Sequence, residues 1–260
     1  MRKVISCVYV EAKKLLRSRI PLMAFLSLTL LPFMAGFFMF ILKDPSRAHR
    51  LGFLSTKAQL AGTADWPSYL GLLAQAISLG GLMVFGFVMT WIFGREYTQG
   101  TIKDLLALPL SRQRIVGAKF IATTILCMLL SLSILTLSLI IGWFLQLPDL
   151  SLATVQRGVL LFLFCSSLTI LLSTPVAFIA SASGGYLAPL GFVLLTLILA
   201  QVAAAIGYGG FFPWSIPALI AGLAGKEQAM PTGANLVIVL GTGVLGVIGT
   251  ALWWRYADHC

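Results

Sequence analysis

Charge is what this sequence has least of. Only 10% of its 260 residues are Asp, Glu, Lys or Arg, and none lies between Arg157 and Lys226. A soluble globular domain carries roughly 25%, so the shortage excludes one. With 59% hydrophobic residues, the long uncharged runs read as membrane spans. The predicted span interiors hold no carboxylate or ammonium. That argues against an ion-driven carrier, which keeps its proton or cation on such a group. Histidine is scarcer still, with His49 and His259 alone. No His-Glu-x-x-His occurs, which leaves a membrane metalloprotease unsupported. Cys7, Cys127, Cys165 and Cys260 form no Cys-x-x-Cys pair, so neither a disulfide framework nor a zinc site is expected. They read as small apolar packers.

Two phosphate-type motifs fail on inspection. LVIVLGTGVLG, Leu236 to Gly246, contains Gly-x-Gly-x-x-Gly. A dinucleotide site also needs a βαβ unit and an acidic residue about 20 positions on. Thr242, Gly246 and Thr250, spaced i, i+4, i+8, suit close helix packing in lipid instead. GLAGKE, Gly222 to Glu227, has Ile220 where a phosphate loop needs its first Gly and Glu227 where it needs Ser or Thr. No catalytic, metal or cofactor-binding residue is assigned.

What the chain does contain is a set of six apolar runs in a single transmembrane domain, 1-260. They lie at about 21-42, 72-94, 117-145, 158-180, 186-206 and 235-254. Pro32 is expected to kink the first. Ser-Ala-Ser-Gly-Gly at 181–185 separates the fourth from the fifth. Residues 1-20 precede the first run, and RKVISCVYVEAKKLLRSR within them is expected to form an amphipathic interfacial helix, with an elbow near Ile20 before Pro21. That polar stretch and the length of the first run do not fit a cleaved signal peptide. Trp253, Trp254 and Tyr256 suit an interfacial aromatic belt. The expected fold class is therefore all-α and polytopic.

Six spans put both termini on one side. That side carries twelve Lys and Arg and the other six, so the positive-inside rule places the termini in the cytoplasm. The net charge of +10 belongs to span ends and lipid headgroups, not to nucleic acid.

Between the second and third runs lies one compact charged island, GREYTQGTIKDLLALPLSRQRIVGAK, Gly94 to Lys119. Thr101 and Asp104 fit a helix-capping box, and Ile102, Leu105 and Leu106 follow at helical spacing. Leu108-Pro109 stops that helix, and Ser111 is placed to cap the next. A helix of about two turns is marginal alone in water, so something covers its apolar face. A local cover, the membrane surface or the chain's own spans, and a partner's groove are even alternatives on physical grounds.

Glu96 to Lys119, through Gly100 and the Leu108-Pro109 stop, resembles the cytoplasmic loop of ABC-transporter permease subunits of the type-2 exporter class. GGYLAPLGF (Gly184 to Phe192), FFPWSIPAL (Phe211 to Leu219) and EAKKLLRSR (Glu11 to Arg19) resemble, in turn, the start of the fifth span, the outer segment and the entry helix of short six-span members. In one departure, no basic residue stands near Gly184. The resemblance implies a plasma-membrane permease with no ATPase of its own. ATP and Mg would sit on a separate cytoplasmic ABC ATPase, and a second permease, identical or related, would complete the path. It implies that the island docks in a cleft of the ATPase. Leu105 and Leu106 would fill the cleft, Glu96 and Arg112 would form rim ion pairs, and Thr101, Asp104 and Pro109 would fix the helix ends. Phe211, Pro213, Trp214 and Pro217 would belong to an outer re-entrant or interfacial piece. The prolines would break its helix and Trp214 would sit at the interface. Short members of this class include exporters of bacitracin-like or lantibiotic peptides. A lipid-modifying membrane enzyme and a non-transporting immunity or scaffold protein are the rivals. The first lacks a polar catalytic cluster in this sequence, and co-purification with an ATPase separates the second.

Overall fold

The computed structural model describes residues 2–43, 63–101, 111–222 and 233–257. Among these residues every regular element is a helix, and six helices are long and apolar enough to cross a membrane. The protein is a multi-pass membrane protein. α1 (Arg2–Leu16) precedes the first spanning helix, α2 (Ile20–Lys43), which runs through Pro32 without a break. α3 (Trp66–Thr98) and α4 (Arg112–Phe144) have 33 residues each. α5 (Leu152–Leu172) and α6 (Thr174–Ser183) share the fourth span, α7 (Leu187–Ala205) is the fifth and α9 (Gly233–Tyr256) the sixth. Between α7 and α9 come two 3-10 turns, Gly209–Phe211 and Pro213–Ser215, and a single α turn, α8 (Ile216–Ile220).

The ends of these helices follow from local chemistry. The Ser68 amide donates to the Asp65 carboxylate at 2.8 Å, and Pro67 occupies the first turn of α3, where its missing N–H costs nothing. Lys43 donates to the carbonyls of Leu145 and Gln146 at 3.0 and 3.3 Å, placing a cation at the negative end of α4.

α3 and α4 are each about 50 Å long, well beyond the roughly 30 Å of hydrocarbon. Nothing between Gly94 and Gln99 breaks a helix, and α4 starts at its Ser111 cap. Both helices therefore run into the charged island, and its two flanks are helical. The expectation of uncharged span interiors fails at Lys119, which lies inside the run placed at 117-145; the structure buries it in α4 together with Glu96, just past the end of the second run.

α3 is the central helix, with α2, α4, α5, α6 and α7 packed around it. A Cβ on Gly158 of α5 would stand 2.3 Å from Leu70 of α3, so only glycine permits that approach. On α9 the keyed positions are Gly243 and Gly246. A Cβ on Gly246 would lie 2.5 Å from the backbone nitrogen of Pro175. Thr242 is half-buried and bonds back to Ile238. The packing seam is thus Gly243, Gly246 and Thr250: Gly246 and Thr250 stand where they were expected, and Gly243 takes the place of Thr242. Trp254 is also corrected. It is fully buried and donates to Ser181 at 2.9 Å, while Trp253 and Tyr256 face outward.

Candidate functional site

Two places concentrate polar chemistry, one at each end of the bundle. The first lies beneath the island. α3 ends there in two crossed bonds: the Gly100 amide donates to the Tyr97 carbonyl and the Thr101 amide to that of Glu96. Gly100 has φ +69°, the left-handed conformation this helix stop requires. Ser111 occupies the N-cap position of α4 without a side-chain bond. Asp104, Leu105, Leu106, Leu108 and Pro109 lie outside the described residues, and with them the capping box that Thr101 was expected to complete.

Just below, α1, α3 and α4 converge on Lys119, which is wholly inaccessible to solvent. Its ammonium reaches the Glu96 carboxylate at 2.7 Å, the Ile92 carbonyl at 2.9 Å and the Glu11 carboxylate at 3.4 Å. An ammonium has three donors, and all three are used. Lys14 binds Glu11 at 2.9 Å and lies 3.9 Å from Glu96, so two cations face two carboxylates in a neutral group. Charges this deep persist only when paired. Burial raises the Glu11 carboxyl, but Lys119 and Lys14 together lower it further, and the net position is below its ordinary value. Glu96 Oε2 has no hydrogen-bond partner among the described residues.

The sequence reading therefore needs correction at Glu96 and Arg112. Glu96 is 3% exposed and pairs inside the protein, not at a rim. Arg112 donates to the carbonyls of Trp254 and Arg255 at 3.2 and 3.4 Å, where its charge meets the negative end of α9. Lys119, Glu11 and Lys14 were missed as a site. One signal was available: Glu11 is the sole acidic residue before Asp44.

The second place is the segment from Gly209 to Gly222, broken by its prolines as expected. Phe211 is exposed, Pro213 and Trp214 are half-buried and Pro217 is buried. Trp214 is not an interfacial anchor. Its indole donates to the Leu172 carbonyl at 3.2 Å and its ring packs edge-on to Phe192 at 5.6 Å. That carbonyl is free for a local reason. Pro175 has no N–H, the Val176 amide turns to Ser173, and the fourth span bends between α5 and α6. The Thr174 hydroxyl lies 2.9 Å from the Leu171 carbonyl and 2.7 Å from that of Gly243. Leu172 is about 30 Å along α5 from its start, so the segment dips deep into the bundle. Cys165 donates to the Pro217 carbonyl at 3.4 Å and Gln75 to that of Ala221 at 3.2 Å. Irregular backbone at such depth is tolerated only when satisfied like this.

Residues 7–203 match the family model described as ABC-2 family transporter protein. Over 182 residues the chain is 28% identical to the bacitracin transport permease protein BCRB of Bacillus licheniformis, covering 70% of this chain and 87% of that protein. Glu11, Glu96 and Lys119 all fall inside the matched residues.

Proposed function

The chain belongs to the ABC-2 family of transporter proteins, and from that premise we propose that it is the permease subunit of an ATP-driven exporter, moved by a separate cytoplasmic ATPase that grips the 99–111 loop. The observation that carries this reading is the Lys119 group. The two helices that flank the loop, 23 residues apart at Glu96 and Lys119, are bound directly to each other and to α1. A force on the loop then moves α1, α3 and α4 as one body. Leu105 and Leu106 fill the cleft of the ATPase, and Thr101, Asp104 and Pro109 fix the ends of the helix proposed to carry them. ATP and Mg bind the ATPase and not this chain.

The same reading sets both termini in the cytoplasm, where the excess of Lys and Arg belongs. The Gly209–Gly222 segment then lies on the outer side of a plasma membrane, at the exit of the path. A second permease, identical or related, completes that path. The relative named above is a bacitracin transport permease, and we take an amphipathic peptide antibiotic as the cargo class.

The test is co-purification with the ATPase, followed by cargo-stimulated ATP hydrolysis in vesicles. Leu105→Asp with Leu106→Asp is expected to abolish ATPase binding while the permease still folds and inserts. Undiminished binding by that double variant overturns the coupling assignment.

A further inference from the structure

We propose that the outward flank of α1 is a docking surface for anionic phospholipid headgroups, and that lipid bound there sets how firmly α1 holds Lys119. The regulatory consequence rests on the coupling reading above; the binding itself does not.

The two flanks of α1 differ sharply. Residues 1–43 contain seven Lys and Arg and one acid, Glu11. α1 turns that acid inward, 5% exposed, beside buried Leu15. Lys13 on the outward flank and Arg17 one residue past the end of α1 remain exposed, and Ile5, Tyr9 and Leu16 beside them are 67%, 65% and 70% exposed. Cations interleaved with uncovered apolar side chains, and no acid among them, complement the boundary where phosphates meet acyl chains. The Lys13 ammonium lies 5.8 Å from the Tyr9 ring centroid, so its stem crosses apolar surface to carry the charge outward. Free phosphate could pair with the cations, but it would leave Ile5, Tyr9 and Leu16 in water. A lipid covers both. A short turn joins α1 to α2, which holds α1 at the level where that spanning helix enters the bilayer.

The inward flank carries Glu11 to Lys119. One 15-residue helix thus holds the lipid contact on one side and the buried ion pair on the other. Docking to lipid restrains α1 against α4, and loss of the lipid contact loosens the same helix.

Cys7 reports this state. It is half-buried one turn before Glu11, and Cys127 and Cys165 are fully buried. In a Cys260→Ser chain a water-soluble maleimide therefore labels Cys7 selectively. Labelling is expected to be severalfold slower in phosphatidylcholine vesicles that contain phosphatidylglycerol than in phosphatidylcholine alone. Inorganic phosphate added to the neutral vesicles is expected to have no such effect. Lys13→Gln with Arg17→Gln should remove the difference, at about fivefold in lipid affinity per cation. Arg114→Gln, an exposed cation outside α1, should keep it. Equal rates in the two vesicles, an unchanged difference in the double variant, an equal loss in Arg114→Gln or slowing by phosphate each overturns the proposal. In the assembled transporter, phosphatidylglycerol should raise ATP hydrolysis severalfold in the parent chain and not in the double variant. Hydrolysis indifferent to lipid charge overturns the regulation and leaves the coupling reading intact. An ATPase that fails to bind overturns the coupling reading and leaves the labelling result standing.

Discussion

At the end that holds both termini, three helices meet over one ammonium that is wholly buried and bonded on all three donors. At the opposite end, Gly209–Gly222 hangs from an indole, a thiol and an amide, each donating to a single backbone carbonyl. The first arrangement has no stable partial state, because removing one charge strands another in a place without water. The second gives way one bond at a time, each worth on the order of 0.6 kcal/mol in a membrane protein. A lever has to stay whole, whereas a part that lets cargo past has to yield. The two chemistries suit those two duties.

The contrast breaks most visibly at Lys119. Lys119→Met leaves Glu96 and Glu11 facing each other unpaired and is expected to cost about 3–5 kcal/mol, read as a large fall in Tm of the purified protein. Exchanging the charges, Lys119→Glu with Glu96→Lys, is expected to recover part of that loss. If Lys119→Met melts like the parent, the charged end is not a lock.

Acid attacks the same end through Glu11. Its carboxyl is held below the ordinary value near 4.5, so its contribution is complete above that pH and disappears as pH falls through the lowered value. The Tm of the parent is expected to exceed that of Glu11→Gln above the ordinary carboxylate range, and the gap is expected to close as pH falls through the lowered value. A gap that stays constant down to acid pH would show that Glu11 does not hold α1.

At the neutral end the effects shrink. Trp214→Phe keeps the ring against Phe192 and deletes one donor, for a loss of about 1 kcal/mol, with export altered more than Tm. Gln75→Leu is the smallest change, about 0.6 kcal/mol. Either substitution costing as much as Lys119→Met would erase the distinction between the ends.

The six spans were legible because apolar length and charge position mark them, whereas the 181–185 break and the segment holding Pro213 and Pro217 lie in an uncharged stretch and were legible from glycine and proline. Which way each side chain faces was not. Spanning helices are apolar all round, so no stripe tells the inward flank of Trp254 from the outward flank of Trp253. Glu96 looked like a loop charge because the second apolar run ends before it, and Lys119 was counted with the island although it opens the third run; the helices continue to Thr98 and resume at Arg112. The bend at Ser173 was not read, although Pro175 inside the run at 158-180 was its available signal. Arg112 resembled a rim cation because its acceptors, two main-chain carbonyls of the last helix, leave no trace in side-chain composition.

Those two carbonyls give α9 an unusual station. Its last turn is held by the residue that opens α4, and about 18 Å away its Gly243 oxygen meets the Thr174 hydroxyl at the bend, two residues from the Leu172 carbonyl on which Trp214 rests. A straight helix barely shortens under load, so travel imposed at the final turn would reappear at the bend undiminished. A push-rod of that kind fails at its joints before its shaft, which makes the Arg112 contact and the Thr174 contact the places where motor stroke and outer movement would come apart.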